Sequence, residues 1–177
     1  MHIYILEQYP NLLPKISLTS DEIKAMVSTY KLTFLVERNY EVEWGKGLPM
    51  FVPAFYNFIL NTNKIPNQEE FYNYYRKCNI SYYKKLNRPD LDSGIKARAY
   101  RTYPSLVRDI YFNKYIEEKI GTKCQIIYNT ELDIEEGIDL MIITSKNKYG
   151  ICFFLQKNRR AFIGRKAKEK DIYLSKT

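Results

Sequence analysis

The stretch Glu135–Asn158, EEGIDLMIITSKNKYGICFFLQKN, decides the fold of the second half of the chain. It holds two short apolar runs, DLMII and ICFFL, separated by the turn-forming sequence SKNKYG. This pattern predicts two antiparallel strands joined by a turn. Asp139 stands at the head of the first run, and Lys157 stands at the foot of the second. Because paired strands lie about 4.8 Å apart, we expect this acid and this lysine to lie side by side.

The sequence around the hairpin predicts an α+β fold. TYPSLVRDIYFNKYIEEKIG is typical of a helix that begins at Pro104 and stops at Gly121. KCQIIYNTEL predicts a further strand, and RRAFIGRKAKEKDIYL predicts a basic helix. The predicted order is therefore helix, strand, strand, strand, helix.

The chain before this unit is predicted to be mostly helical, after a first strand at Ile3–Leu6. SLTSDEIKAMVSTYKLTFLVERN predicts a helix with Ser20 as its N-cap, and two more helices are expected at Pro53–Asn61 and Gln68–Cys78. Proline, glycine and basic residues gather before the second unit. We therefore predict a helical N-terminal lobe over residues 1–88, a basic linker over 89–101 and an α/β lobe over 102–177.

Composition excludes several classes of protein. His2 is the only histidine among 177 residues, so catalytic sites that need a histidine base and zinc hydrolase sites are disfavoured. The longest apolar runs are far shorter than the ~20 residues of a membrane span, so we expect no membrane association and a cytoplasmic location.

Charge is unevenly distributed along a chain of net charge +8. Between Cys124 and Ser145 the charged residues are all acidic, and basic residues dominate immediately afterwards. An acidic cluster beside a basic one suits a metal-dependent enzyme that acts on a polyanion. The open alternative is an ordinary basic surface.

Three motifs in the second unit resemble those of the PD-(D/E)xK nuclease superfamily, most closely in the arrangement of Tn7-type transposase endonuclease subunits. They are SLVRD (Ser105–Asp109), GID (Gly137–Asp139) and FLQK (Phe154–Lys157), and the resemblance spans Thr102–Lys170. Arg108 occupies the usual position of the helix glutamate, and Leu155 occupies that of the second strand acid.

The resemblance implies a restriction-endonuclease-like lobe that cleaves phosphodiester bonds in DNA with Mg²⁺ or Mn²⁺, as a subunit of a transposon, phage or restriction system. A partner protein would supply targeting. The implied catalytic residues are Asp139, Lys157 and Gln156, and the implied metal ligands are Asp139, Glu136, Glu131 and Asp109. Contacts with nucleic acid are expected from basic residues, namely Arg159, Arg160, Arg165, Lys166, Lys168, Arg98 and Arg101.

Two other functions remain open from the sequence. A nuclease-like protein that lacks the second metal acid would bind nucleic acid without cutting it. A viral or mobile-element component would instead use its Tyr- and Phe-rich helices to bind a protein, because tyrosine is enriched at binding hot spots. The aromatic density between Phe51 and Tyr83 is more typical of a helix–helix core.

Overall fold

The computed structural model describes residues 11–44, 47–86 and 88–152. Helices precede a three-stranded antiparallel sheet in these ranges, which confirms the α+β class. The helices are α1 (Ser20–Ser28), α2 (Tyr40–Trp44), α3 (Phe51–Thr62), α4 (Gln68–Cys78), α5 (Ile80–Leu86) and α6 (Pro89–Ile120). The strands are β1 (Gln125–Ile127), β2 (Leu140–Ile143) and β3 (Lys148–Ile151), with a 3-10 turn at Leu13–Lys15 and a π-helical turn at Leu132–Glu136. None of the helices in these ranges is long and apolar enough to cross a bilayer.

The predicted helices at the positions of α3 and α4 are confirmed, but the predicted first helix is too long. Its N-cap is Thr19 and not Ser20, because the Thr19 side chain and Glu22 form a reciprocal capping box. The helix ends at Ser28, although the apolar pattern continued to Asn39. Residues 31–39 form neither helix nor strand, since side chains of α4 and α6 bind their backbone instead.

The predicted linker over residues 89–101 is wrong, because these residues form the first part of α6. Asp90 and Asp92 lie in the first helical turn, where acidic side chains interact favourably with the helix dipole. Gly94 is required by packing, since a Cβ there would lie 2.8 Å from the Asn39 Cβ. A cluster of polar, glycine and proline residues can therefore belong to a helix that packs closely against its neighbours.

Pro104 lies inside α6 and not at its first position, so the predicted start of this helix is also wrong. Proline has no N–H, and the carbonyl of Tyr100, four residues earlier, therefore lacks its helical donor. The buried side chain of Gln68 supplies one: its Nε2 donates to the Tyr100 carbonyl at 3.0 Å. The helix continues through Pro104 because Gln68 of α4 donates to the Tyr100 carbonyl that proline leaves without a partner.

One hydrophobic cluster joins the helices to the sheet and includes Ile23, Phe55, Ile95, Ile110 and Leu140. Most aromatic residues of α3 and α4 belong to it, as the core interpretation predicted. Phenol groups of this core bind loop carbonyls: Tyr103 of α6 donates to Pro66 at 2.6 Å, and Tyr75 of α4 donates to Pro49 at 2.7 Å. Tyrosine can fill this core because its hydroxyl finds an acceptor at the edge of the packed rings.

The sheet has the order β1-β2-β3, and both pairs of strands are antiparallel. Ile126 lies opposite Ile142, and Leu140 lies opposite Ile151. The turn between β2 and β3 is closed by a hydrogen bond from the Thr144 N–H to the Asn147 carbonyl at 2.9 Å. The predicted hairpin is therefore confirmed as far as Ile151. The predicted first strand at Ile3–Leu6, the end of the third strand and the basic C-terminal helix lie outside the described residues.

We expect Gln68→Leu to lower the free energy of unfolding by about 1–3 kcal/mol, because it leaves the buried Tyr100 carbonyl without a donor. Pro104→Ala restores the missing helical N–H. The double variant Gln68→Leu/Pro104→Ala should therefore be more stable than Gln68→Leu alone, as measured by urea denaturation. A double-mutant cycle with additive effects would contradict this link between α4 and α6.

Candidate functional site

Asp139 lies immediately before β2, at the end of the sheet where the chain enters from the π-helical turn. Its backbone N–H donates to the Ile151 carbonyl at 2.9 Å. Gly137, with φ of +64°, ends the π-helical turn and reverses the chain towards β2. Since Leu140 lies opposite Ile151, the register brings Cys152, and not Lys157, opposite Asp139. Lys157 follows five residues later in the sequence, and both it and Gln156 lie outside the described residues.

Helix α6 brings a second acid and an amide to the same end of the sheet. Asn113 is fully buried, and its Nδ2 donates to the Asp139 carbonyl at 3.4 Å. Asp109 precedes Asn113 by one turn on the same face of the helix. Its Oδ1 accepts hydrogen bonds from Arg108, at 2.9 Å from Nε and 2.6 Å from Nη2. Asp109 therefore faces this end of the sheet, although it lies one residue after the position that the family motif favours.

The π-helical turn contributes a third acid, Asp133. The hydroxyl of Tyr128 donates to the Asp133 Oδ2 in a long hydrogen bond of 3.5 Å. The Tyr128 ring stacks on that of Tyr56 from α3, with centroids 4.4 Å apart and planes 19° apart. Both tyrosines are buried, so the pair connects the helical core to the turn that carries Asp133. We call Asp109, Asp133 and Asp139 the acid cluster.

The carboxyl groups of the acid cluster influence one another's protonation. Burial raises the pKa of Asp133 to about 7, and the charges of Asp139 and Asp109 act in the same direction. Burial also raises the pKa of Asp109 to about 6, even though the hydrogen bonds from Arg108 act to lower it. The charge of Asp139 again raises the pKa of Asp109. Like charges held close together in a partly buried position disfavour full ionisation, which is typical of functional sites.

Two buried polar atoms beside the acid cluster form no hydrogen bond of normal geometry among the described residues, although their side chains interact with each other. They are the Asn113 Oδ1 and the Tyr56 hydroxyl. The same Asn113 side chain donates to the Asp139 carbonyl, which places it beside the head of β2. An unpaired buried oxygen costs about 1–3 kcal/mol. An ordered water or a ligand that bridges the two groups would satisfy them both.

The donor chemistry of the site suits a hard divalent cation. Carboxylate and amide oxygens are the ligands that Mg²⁺ prefers, and Mg²⁺ is commonly held by one or two carboxylates together with water and substrate phosphate. Across residues 11–44, 47–86 and 88–152, no three His, Cys, Asp or Glu side chains are grouped closely enough to hold a metal ion. The binding of Mg²⁺ or Mn²⁺ therefore stays a prediction.

The other predicted ligands lie at the edge of this site. Glu131 and Glu136 flank the π-helical turn, and both side chains are exposed. The backbone N–H of Glu131 donates to the Asn129 Oδ1 at 2.7 Å, which fixes the start of the turn. Sequence reasoning missed Asp133 and Asn113. The spacing of Asn113 from Asp109, one helical turn, is the signal that could have found it.

The basic residues predicted to contact nucleic acid divide into two groups. Arg98 donates to the Val42 carbonyl, and Arg101 donates to the Leu35 and Glu37 carbonyls and pairs with Glu43. These two arginines hold the segment before α3 against α6, and their contact with nucleic acid stays a prediction. The remaining ones, Arg159, Arg160, Arg165, Lys166 and Lys168, lie outside the described residues.

The raised pKa values of Asp109 and Asp133 predict a pH-dependent stability. The folded protein retains protons on these groups that the unfolded chain releases above about pH 4. Their contribution is fully present below that pH and is lost as the pH rises through about 6 and 7.

We therefore expect Asp133→Asn to be more stable than the natural protein at pH 7.5, by about 1–2 kcal/mol after allowance for partial exposure, and to lose this advantage at pH 4.5. Urea denaturation at both pH values measures the difference. An equal difference in stability at both pH values would contradict the raised pKa of Asp133.

Comparison with known proteins adds no assignment. No protein family, no curated protein and no solved structure matches this chain. The resemblance to PD-(D/E)xK nucleases therefore depends on the sequence motifs alone and stays a prediction.

Proposed function

We propose that the protein is a metal-dependent nuclease that cleaves phosphodiester bonds in DNA, with the acid cluster as its metal-binding centre. The observation that carries the proposal is the position of Asp139. It stands at the head of a strand in an antiparallel sheet, next to Asp109 and Asn113 of the helix that precedes the sheet. A helix acid beside a strand acid is the arrangement that the motifs SLVRD and GID predict.

The residues of the site would have different roles in cleavage. Asp139, with Asp109 or Asp133, would bind Mg²⁺, and the Asn113 Oδ1 would accept a hydrogen bond from a bound water. A divalent cation in this position offsets negative charge on a scissile phosphate. Lys157 would orient the attacking water, and the basic residues from Arg159 to Lys168 would hold the phosphates on either side.

The raised pKa values support this assignment in one further way. A carboxyl group held partly protonated by burial and by like charges gains most from a bound cation, because the cation removes the repulsion. Asp133 and Asp109 should therefore lose their protons when the metal binds. The exposed Glu131 and Glu136 gain no such advantage, and we assign them no direct contact with the metal.

A nucleic-acid-binding protein without nuclease activity is the second candidate. It is favoured because no three His, Cys, Asp or Glu side chains of the described residues, the acid cluster included, are close enough together to hold a metal ion. Under this function the same surface would bind DNA through the basic residues after Lys157. A partner protein that supplies targeting remains part of both proposals.

Incubation of the purified protein with supercoiled plasmid in Mg²⁺ or Mn²⁺ tests the nuclease. We expect cutting that EDTA abolishes and that Asp139→Asn reduces by at least about 100-fold, because a metal ligand that acts in the transition state is lost. Lys157→Ala should cause a comparable loss. Asp21→Asn and Lys64→Ala change exposed charges outside the acid cluster, and these variants should cut at the natural rate.

Two results would decide against the nuclease. Cutting that persists in Asp139→Asn would locate the activity elsewhere or in a contaminant. Absence of cutting, together with DNA binding that weakens steeply with salt, would favour the second candidate. Titration with Mn²⁺ separates the two independently, since a ligand at 100 times its Kd stabilises a folded protein by about 2.7 kcal/mol.

A further inference from the structure

The segment Lys31–Glu37, KLTFLVE, carries an exposed apolar stripe outside any helix or strand. We call it the edge segment. Leu32 is 37% exposed, Phe34 is 72% exposed and Val36 is 88% exposed. Large apolar side chains that alternate along a chain and face solvent are typical of an interaction surface. Tyr40 and Trp44, one turn apart on α2, extend the exposed apolar surface beyond the segment.

The backbone of the edge segment is bound on one side only. The Gln68 side chain binds both the N–H and the carbonyl of Thr33, at 2.7 Å and 3.0 Å. Arg101 binds the carbonyls of Leu35 and Glu37. The backbone groups that α4 and α6 bind therefore belong to alternate residues, all with odd numbers.

The intervening residues leave the opposite edge open. In a β-strand, the N–H and the carbonyl of one residue point to the same edge, and those of the next residue point to the other. Leu32, Phe34 and Val36 have no backbone hydrogen bond within the described residues. The edge segment thus has the hydrogen-bonding pattern of an unpaired edge strand, which is a template for another strand.

The sequence of the edge segment is complementary to itself about Phe34. If two copies pair antiparallel around this residue, Phe34 lies opposite Phe34 of the partner, and Leu32 lies opposite Val36. Lys31 then lies opposite Glu37, so each end of the pair carries opposite charges. Lys31 and Glu37 are exposed, and neither forms an ion pair with another described residue.

Two independent patterns are therefore satisfied by the same register. The hydrogen-bonded pairs would be 32 with 36, 34 with 34, and 36 with 32, and these are the residues whose backbone groups are open. The charged pairs fall at the two ends of the same register. Nucleic acid is the less suitable occupant, because Lys31 and Arg38 are balanced locally by Glu37 and Glu41, which gives no net attraction for a polyanion.

We propose that two copies of this chain associate through the edge segment as a two-fold symmetric dimer. The antiparallel pair is centred on Phe34, with Lys31 of each copy paired to Glu37 of the other. A two-fold axis at Phe34 makes every contact occur twice except the one between the two Phe34 residues, as in an isologous interface. Each opposite pair of even-numbered residues exchanges both of its backbone hydrogen bonds. This association is independent of the proposed nuclease.

Sedimentation velocity over a wide range of protein concentration tests the dimer, against a chain mass of 21.2 kDa. We expect Lys31→Glu alone and Glu37→Lys alone each to weaken the dimer by about tenfold, because each places two pairs of like charges opposite each other. The double variant Lys31→Glu/Glu37→Lys restores opposite charges and should dimerise as the natural protein does. Lys64→Glu is the matched control for a change of exposed charge.

Phe34→Lys provides a second test, since it places two ammonium groups across the two-fold axis. We expect the Phe34→Lys variant to be monomeric and fully folded, because the side chain that it replaces is exposed. The control variant Tyr149→Lys, on β3, should still dimerise. A natural protein that is monomeric at every concentration would overturn the proposal. A dimer that the double charge reversal fails to restore would overturn the register. If the natural protein is monomeric, loss of single-stranded DNA binding in Phe34→Ser would assign the surface to nucleic acid.

Discussion

The carbonyl of Tyr100 is the constraint on which the rest of the structure depends. Pro104 leaves it without a helical donor, and the buried Gln68 amide supplies one. Without that bond, a buried polar group would stand unpaired and α6 would be expected to break near Pro104. With it, one helix of 32 residues runs through the protein and carries the groups that both proposals use.

The continuity of α6 fixes the position of the acid cluster relative to the edge segment. Arg98 and Arg101 precede Pro104 and hold the region that includes the edge segment, whereas Asp109 and Asn113 follow it and face the head of β2. Gln68 binds the same segment through Thr33 and the helix through Tyr100. A change at Gln68 would therefore affect the helix and the edge segment together, and this predicts that the dimer of Gln68→Leu is weakened even where the chain stays folded.

Much of the fold follows from local patterns in the sequence. Periodic apolar residues and a capping box locate α3 and α4, and a polar turn between apolar runs locates β2 and β3. The continuous α6 could not be predicted this way, because the donor that compensates for Pro104 lies 36 residues earlier in the chain. The helix predicted to continue after Ser28 is absent for the same reason, because side chains distant in sequence bind the backbone of this segment. Local propensity cannot report contacts made across the fold.

The residues of the candidate site also could not all be predicted from the sequence, and the reason is chemical. The sequence predicts Asp139 from its place at a strand head, and Asp109 from the helix motif, as candidate metal ligands. The sequence does not show which acid of ELDIEE is the best candidate ligand, because the burial of these side chains depends on the π-helical turn. That turn buries Leu132 and half-buries Asp133, and it leaves Glu131 and Glu136 exposed to solvent. A carboxylate gains most from a cation where water is partly excluded and another acid is near. The acid best suited to bind a metal is therefore the one that packing against Tyr128 and Tyr56 brings out of solvent, and no spacing rule within the turn distinguishes it from its neighbours.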